Sequence, residues 1–257
     1  MNDPVAKAKW VIETHGVTGI PALSLKPIAA HEKIMCRFED CPDDKHLAGM
    51  LLYKGHKRKI IVNTHINNTG RHNFTFAHEL GHYFLDHPLS YNRDGQTGFQ
   101  CTSDDMRSKV KPREVEANRF AAELLMPECR FKQDMVGAPL DFGLINNLSS
   151  QYMVSKQACG YRVLSLTQAP CIIIYTEGTR ITGNSASRAA RTYHNQRLVK
   201  IPDHTAAHNA IINQWGQEEF TLCDAGKWLT RPVPGGEILE CTHISREYGT
   251  AVTILKW

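Results

Sequence analysis

The spacing of apolar positions changes near residue 167, and the change divides the chain into two stretches. In the first, helical spacing dominates. Residues 5 to 16 read as a helix that the Gly-Ile-Pro of 19 to 21 brings to an end. Two short apolar runs, Gly49 to Tyr53 and Lys59 to Thr64, flank the turn-like KGHKR and read as a β-hairpin with a basic tip. A helix then carries FTFAHELGHYFLDHP, Phe74 to Pro88. PREVEANRFAAELLMP reads as another helix, with Pro112 in its first turn and Pro127 at its end. Between these two helices runs a polar stretch from about Leu89 to Lys111, longer than the ~15 residues beyond which loops are usually functional or disordered. Residues 141 to 166 have the spacing of a helix-turn-helix unit, with Ser155 as the N-cap of its second helix. From Pro170 onward strands are expected at CIIIY, TRITG, RLVKI, ILECTHI and TAVTILKW, interrupted by one helix near 204 to 214.

Composition narrows the picture only modestly. With 257 residues, 42% of them hydrophobic and 22% charged, the chain has the balance of a soluble globular protein with a real core. A net charge of +4 is too weak to mark a nucleic-acid binder by itself. The opening MNDPVAKAKWVIETHG lacks the pattern of a signal peptide, and no apolar run approaches the ~18 residues of a membrane span. A cytoplasmic protein without a membrane partner is therefore expected. Its eight cysteines form no C-x-x-C pair and read as reduced thiols, each by default a small buried hydrophobe.

The chemistry is concentrated in His-Glu-Leu-Gly-His. Residues four apart lie on one helical face, so His78 and His82 can direct ring nitrogens at one metal ion, with Glu79 beside it as a general base. Two imidazoles and a carboxylate suit Zn2+, the cofactor expected here. Glycine and histidine stand in the metzincin extension where this chain has Leu85 and Pro88, which excludes that extension; His87 falls one residue short of the histidine position.

The third ligand must then come from the downstream helix. At about 100° per residue, Ala117, Phe120, Ala121, Leu124 and Leu125 define its buried stripe. Glu114 lies about 60° from the centre of that stripe, Glu116 about 100° and Glu123 about 120°. Only Glu114 edges into the interior on this reading, with Glu116 as the alternative. Asn118, one turn after Glu114, can hydrogen-bond a ligating histidine.

The run IIVN, then RHNFTFAHELGH, then E-x-x-x-N-R-F-A-A-E-L-L-M-P resembles the ImmA/IrrE family of zinc metallopeptidases, over roughly residues 5 to 167. Within it the chain looks most like the CapP-like members of antiphage defence operons. The resemblance implies an α+β fold: a gluzincin-like minimal metallopeptidase domain at 1 to 167, containing the helix-turn-helix-like segment 141 to 166. A small α+β domain at 168 to 257, loosely GAF-like, would be a sensor. It implies a signal-activated zinc endopeptidase, with ligands His78, His82 and Glu114 and base Glu79, that cleaves a helix-turn-helix transcriptional repressor and derepresses a stress or defence operon. The alternative is a DNA-binding or ligand-sensing regulator in which zinc is structural.

Three further readings concern substrate and control. Tyr83, Tyr152 and His87 are candidates for stabilising an oxyanion, and the strand KIIVNT for pairing with an extended substrate, if it has a free edge. GFQCTSDD places Cys101 on the polar stretch beside the cleft, where a thiolate would make an inhibitory fourth zinc ligand. Between Glu177 and Asp203 no acidic residue occurs, while Arg180, Arg188, Arg191, Arg197 and Lys200 surround Tyr193, a mixture suited to single-stranded DNA as an activator or to another phosphorylated ligand. Lys156 and Arg162 are the only lysine and arginine of the helix-turn-helix segment, which favours docking over DNA reading.

Overall fold

Local chemistry starts the helices where the chain supplies it. Asp3 accepts the amides of Val5 and Ala6 and caps α1 (Pro4–Thr14). Asn68 does the same for Arg71 at the start of α3 (Thr69–Phe84), and Pro112 occupies the first turn of α4 (Pro112–Leu125). The computed structural model describes residues 3–42, 44, 46–88, 90–91, 97–102, 111–216 and 219–257. Much of the polar stretch between α3 and α4, residues 89, 92–96 and 103–110, lies outside the described residues. The fold is mixed α+β and divides into two compact units, Met1–Ala138 with Leu144–Cys159, and Pro139–Gly143 with Gly160–Trp257.

In the first unit, the hairpin expected around KGHKR is formed by β2 (Leu47–Lys54) and β3 (Lys57–Asn63). Two elements without a sequence signal precede it, α2 (Pro21–His31) and β1 (Ile34–Glu39). Pro21 does not directly follow the end of α1, which stops at Thr14, but begins another helix at its first position, and Pro27 inside α2 further obscures the pattern. With β4 (Ser90–Tyr91) and β5 (Thr97–Thr102), the sheet runs β1-β3-β2-β5-β4; β1 is parallel to β3 and the other pairs are antiparallel. KIIVNT is thus an interior strand, flanked on both sides, and cannot take an added peptide strand.

Helix α3 packs on β2 and β3 with one face and on α4 with another. The second contact is close at Gly81, where a Cβ would lie 3.1 Å from Phe120 Cδ1 and 3.2 Å from the Ala117 Cα and carbonyl oxygen. Glycine in a helix interior costs up to about 1 kcal/mol relative to alanine, and here the close approach accounts for it. Gly81→Val is expected to destabilise the protein by about 1–3 kcal/mol in urea unfolding, through overpacking against backbone that cannot yield.

Downstream, α5 (Glu128–Met135), without a sequence signal, is followed by α6 (Phe142–Gln151) and α7 (Lys156–Leu166), the two helices expected at 141 to 166. Ser155 Oγ accepts the Ala158 amide, capping α7 as anticipated.

The second unit contains a five-stranded antiparallel sheet in the order β7-β6-β10-β9-β8, formed by β6 (Cys171–Glu177), β7 (Arg180–Ala186), β8 (Thr221–Asp224), β9 (Glu237–Ser245) and β10 (Thr250–Lys256). Helix α8 (Ala206–Asn213) packs against β9. RLVKI, expected as a strand, makes only an isolated bridge from Lys200 to Arg180 within its span. Its Leu198 and Ile201 pack into the core around Trp228 while Val199 faces solvent. Buried Glu240 accepts the Trp228 indole N–H at 2.7 Å and the Ala207 amide at 3.0 Å, satisfying the start of α8 from within the sheet.

Candidate metal centre

Helix α3 presents His78 and His82 one turn apart with Glu79 beside them, all three at most 1% exposed. The first turn of α4 brings Glu114 against them: its Oε2 lies 3.1 Å from His78 Nε2 and 3.6 Å from His82 Nε2. The two Nε2 atoms are 3.0 Å apart. A tetrahedral ion at about 2.0–2.1 Å from nitrogen and oxygen separates such donors by about 3.3 Å, so these three atoms fit a ligand shell.

The protons are arranged to match. Asn118 Oδ1 lies 3.0 Å from His78 Nδ1, and as an acceptor it keeps the hydrogen there and leaves a lone pair on Nε2. At His82 the same result is reached through two steps. Glu116 Oε2 accepts from His87 Nε2 at 3.1 Å, so His87 Nδ1 carries a lone pair and accepts from His82 Nδ1 at 2.8 Å. His82 Nε2 is then also unprotonated. Two lone pairs and a carboxylate oxygen converge, an arrangement that repels itself unless a cation joins it. Burial and then neighbouring His78 lower the His82 pKa to about 4 against the pull of Glu114, which keeps the ring neutral. Burial opposes ionisation of Glu114, but in the metal-free site any proton on the facing His78 and His82 nitrogens bonds its carboxylate and outweighs that cost, which holds the carboxyl far below its usual range.

Glu79 differs from every other carboxylate in the site. Both its oxygens are buried without a hydrogen-bond partner. Burial first, and the charge of Glu114 second, push its pKa well above the usual carboxylate range. Room for it comes from Gly49 on β2, where a Cβ would stand 3.4 Å from Glu79 Oε1 and 2.5 Å from Thr75 Cγ2.

Cys101 is placed differently from its sequence reading. It belongs to β5, paired with Gly49, and is 1% exposed, because Phe99 and Cys101 alternate inward on a strand whose polar flanks resemble loop. Its Sγ lies 3.4 Å from His78 Nε2 and 3.7 Å from Glu114 Oε2. Around an ion with sulfur at about 2.3 Å, donor separations of about 3.5 Å are expected, so the thiol stands at ligand separation from two of the three donors, His78 and Glu114.

Other candidates are engaged elsewhere. The Tyr83 hydroxyl donates to Glu32 Oε2 at 2.9 Å and that of Tyr152 to Asp134 Oδ2 at 2.6 Å, which takes both away from any oxyanion here. His87 supports His82. Glu116 lies behind His87 rather than facing His78. Glu123, expected to face outward, is 1% exposed and accepts the Glu128 amide at 3.2 Å, because the chain turns back there and needs an acceptor for the start of α5. Sequence reasoning also missed the Phe99 ring stacked 4.3 Å from that of His82.

In the second unit Arg188, Arg191 and Arg197 are exposed, whereas Arg180 pairs with Glu177 and Lys200 with Asp203. Tyr193 is half-buried, with its ring 5.5 Å from Trp257 in an edge contact. The cysteines outside the centre include inert examples: burial raises the pKa values of Cys159 and Cys171 to about 12. Among the described residues no helix is long and apolar enough to cross a membrane.

A family model described as Peptidase_M78, IrrE N-terminal-like domain, matches residues 32–164. No curated protein matches. Solved structures do, among them one described as a Mycobacterium tuberculosis transcriptional regulator, with a TM-score of 0.64 and 17% identity over 100% of this chain and 76% of that one. At that identity the likeness concerns the fold.

Proposed function

The chain belongs to the Peptidase M78 family of IrrE N-terminal-like domains, and from that premise we propose that it is a zinc-dependent endopeptidase acting on a transcriptional repressor. The observation that carries this reading is Glu79, a buried carboxylate without a hydrogen-bond partner beside three converging metal-type donors. Folds rarely leave such a group unsatisfied, and a proton-transfer role accounts for it.

His78, His82 and Glu114 would hold the ion, which when bound polarises a peptide carbonyl and makes water a stronger acid. Glu79 takes the proton from the attacking water and delivers it to the leaving amine. Its dry surroundings raise its affinity for that proton, which favours the first transfer. Asn118 and the His87–Glu116 pair orient the two rings. His87→Ala is expected to weaken Zn2+ binding about 10–100-fold, measured against a competing chelator; undiminished affinity would show that His82 needs no such support.

Cys101 is proposed as a fourth, inhibitory ligand that a signal must displace. The same closeness also favours a second reading, a regulator with a closed structural zinc site. Proteolysis dependent on Glu79 separates the two. The exposed Arg188, Arg191 and Arg197 support single-stranded DNA as a signal received by the second unit, whose small α+β architecture suits a GAF-like sensor. A regulatory setting also agrees with the fold likeness to a transcriptional regulator.

The deciding experiment first identifies a helix-turn-helix repressor encoded next to the gene and then incubates it with zinc-loaded protein, with and without single-stranded DNA. Site-specific cleavage that a chelator stops is expected. An intact repressor in every reaction, with zinc bound, would refute the proposal.

A further inference from the structure

A second convergence of metal-type donors, sharing no residue with the centre above, lies where α1 and α2 end. His15 follows the last turn of α1, His31 is the final residue of α2, and Glu32 follows it. One donor atom from each lies within 4.8 Å of the others. Glu32 Oε1 is 3.2 Å from His31 Nδ1 and 3.5 Å from His15 Nε2, again near the ~3.3 Å edge of a tetrahedral shell.

His15 makes this more than a surface cluster. Its side chain is only 7% exposed, and Nε2 is enclosed without a hydrogen bond, facing the carboxylate across that gap. A buried ring nitrogen left so is costly unless something joins it to the oxygen opposite. Glu32 is already oriented, because its other oxygen, Oε2, accepts the Tyr83 hydroxyl. Ligating carboxylates are held by outer hydrogen bonds of this kind.

The geometry points to a second divalent-cation site, formed by His15, His31 and Glu32, whose two nitrogens and one oxygen suit a transition metal of the Zn2+ class. The His31 side chain is 70% exposed, so the site opens to solvent and water completes the coordination. A bound ion would fasten the ends of α1 and α2 together and, through Glu32 and Tyr83, to α3.

The test is a titration of full-length, metal-stripped protein with Zn2+ alone. Wild type is expected to take two equivalents. His31→Ala, a change at an exposed side chain, should weaken the second by about tenfold or more and retain the first. Glu32→Gln should behave likewise. The His78→Ala/His82→Ala double variant should lose the first equivalent and keep the second, which separates this proposal from the one concerning catalysis. A single equivalent in wild type, or a second equivalent indifferent to both His31→Ala and Glu32→Gln, would overturn it.

Discussion

Glu79→Gln is expected to lower repressor cleavage by about 10²–10⁴-fold, the usual contribution of a positioned acid–base group. Zinc content, measured on the same sample, should not change, because in the proposed assignment Glu79 neighbours the ligands and is not one of them. Loss of zinc together with activity would instead make Glu79 a ligand.

The same variant has an expected signature without metal. The folded-state pKa of Glu79 is raised well above 4.5, so the folded protein binds more protons than the unfolded chain from about pH 4.5 upward. Its contribution to stability therefore falls as pH rises through that window. Glu114 and His82 have the opposite sign. The depressed carboxyl of Glu114 loses its stabilising contribution below the ordinary carboxylate value. His82, neutral down to about pH 4, contributes increasing stability as pH rises towards 6.5. Comparing Glu79→Gln with wild type largely cancels those two. In chelator, the variant should gain thermal stability over wild type progressively above about pH 4.5. A difference constant with pH would mean that the Glu79 carboxyl titrates normally.

Cys101→Ala is expected to act in the other direction, raising basal cleavage about tenfold or more without a signal. An advantage of only about 1.4 kcal/mol for the thiol over its competitor holds roughly nine molecules in ten closed. The replacement leaves His78, His82 and Glu114 untouched, so activity in the presence of the signal should approach that of wild type. Unchanged basal activity would refute an inhibitory thiol. The strand placement sharpens the requirement for release: Cys101 cannot swing out as a loop residue would, so freeing it means shifting β5 against β2.

The elements visible in the sequence were those with a strong local period. Both ligand helices, the hairpin and four strands of the second sheet could be read because apolar residues recur at a single spacing. β5 was hidden because polar neighbours at both ends of GFQCT obscure its alternation. α2 was hidden by its two prolines, and RLVKI misled because its apolar content resembles a full strand although its pairing with the start of β7 stops at a single bridge. In the site, helical angle correctly brought Glu114 towards the interior but misjudged Glu123, whose burial depends on where the chain turns after Pro127. The His87–Glu116 chain depends on a turn after α3 and on the distance between two helices, and neither is written in a local pattern.

That distance gives one letter of His-Glu-Leu-Gly-His a meaning its usual abbreviation omits. Written as H-E-x-x-H, the motif treats Gly81 as free, yet this residue, because it has no side chain, sets how closely the helix of Glu114 can approach. Ligand geometry tolerates displacements of only about 0.5 Å, less than a side chain wedged between the helices would impose. A substitution at this letter would leave every named ligand of the motif in place along the chain and still separate them in space. Here glycine at that position is information about a proposed third ligand more than thirty residues away.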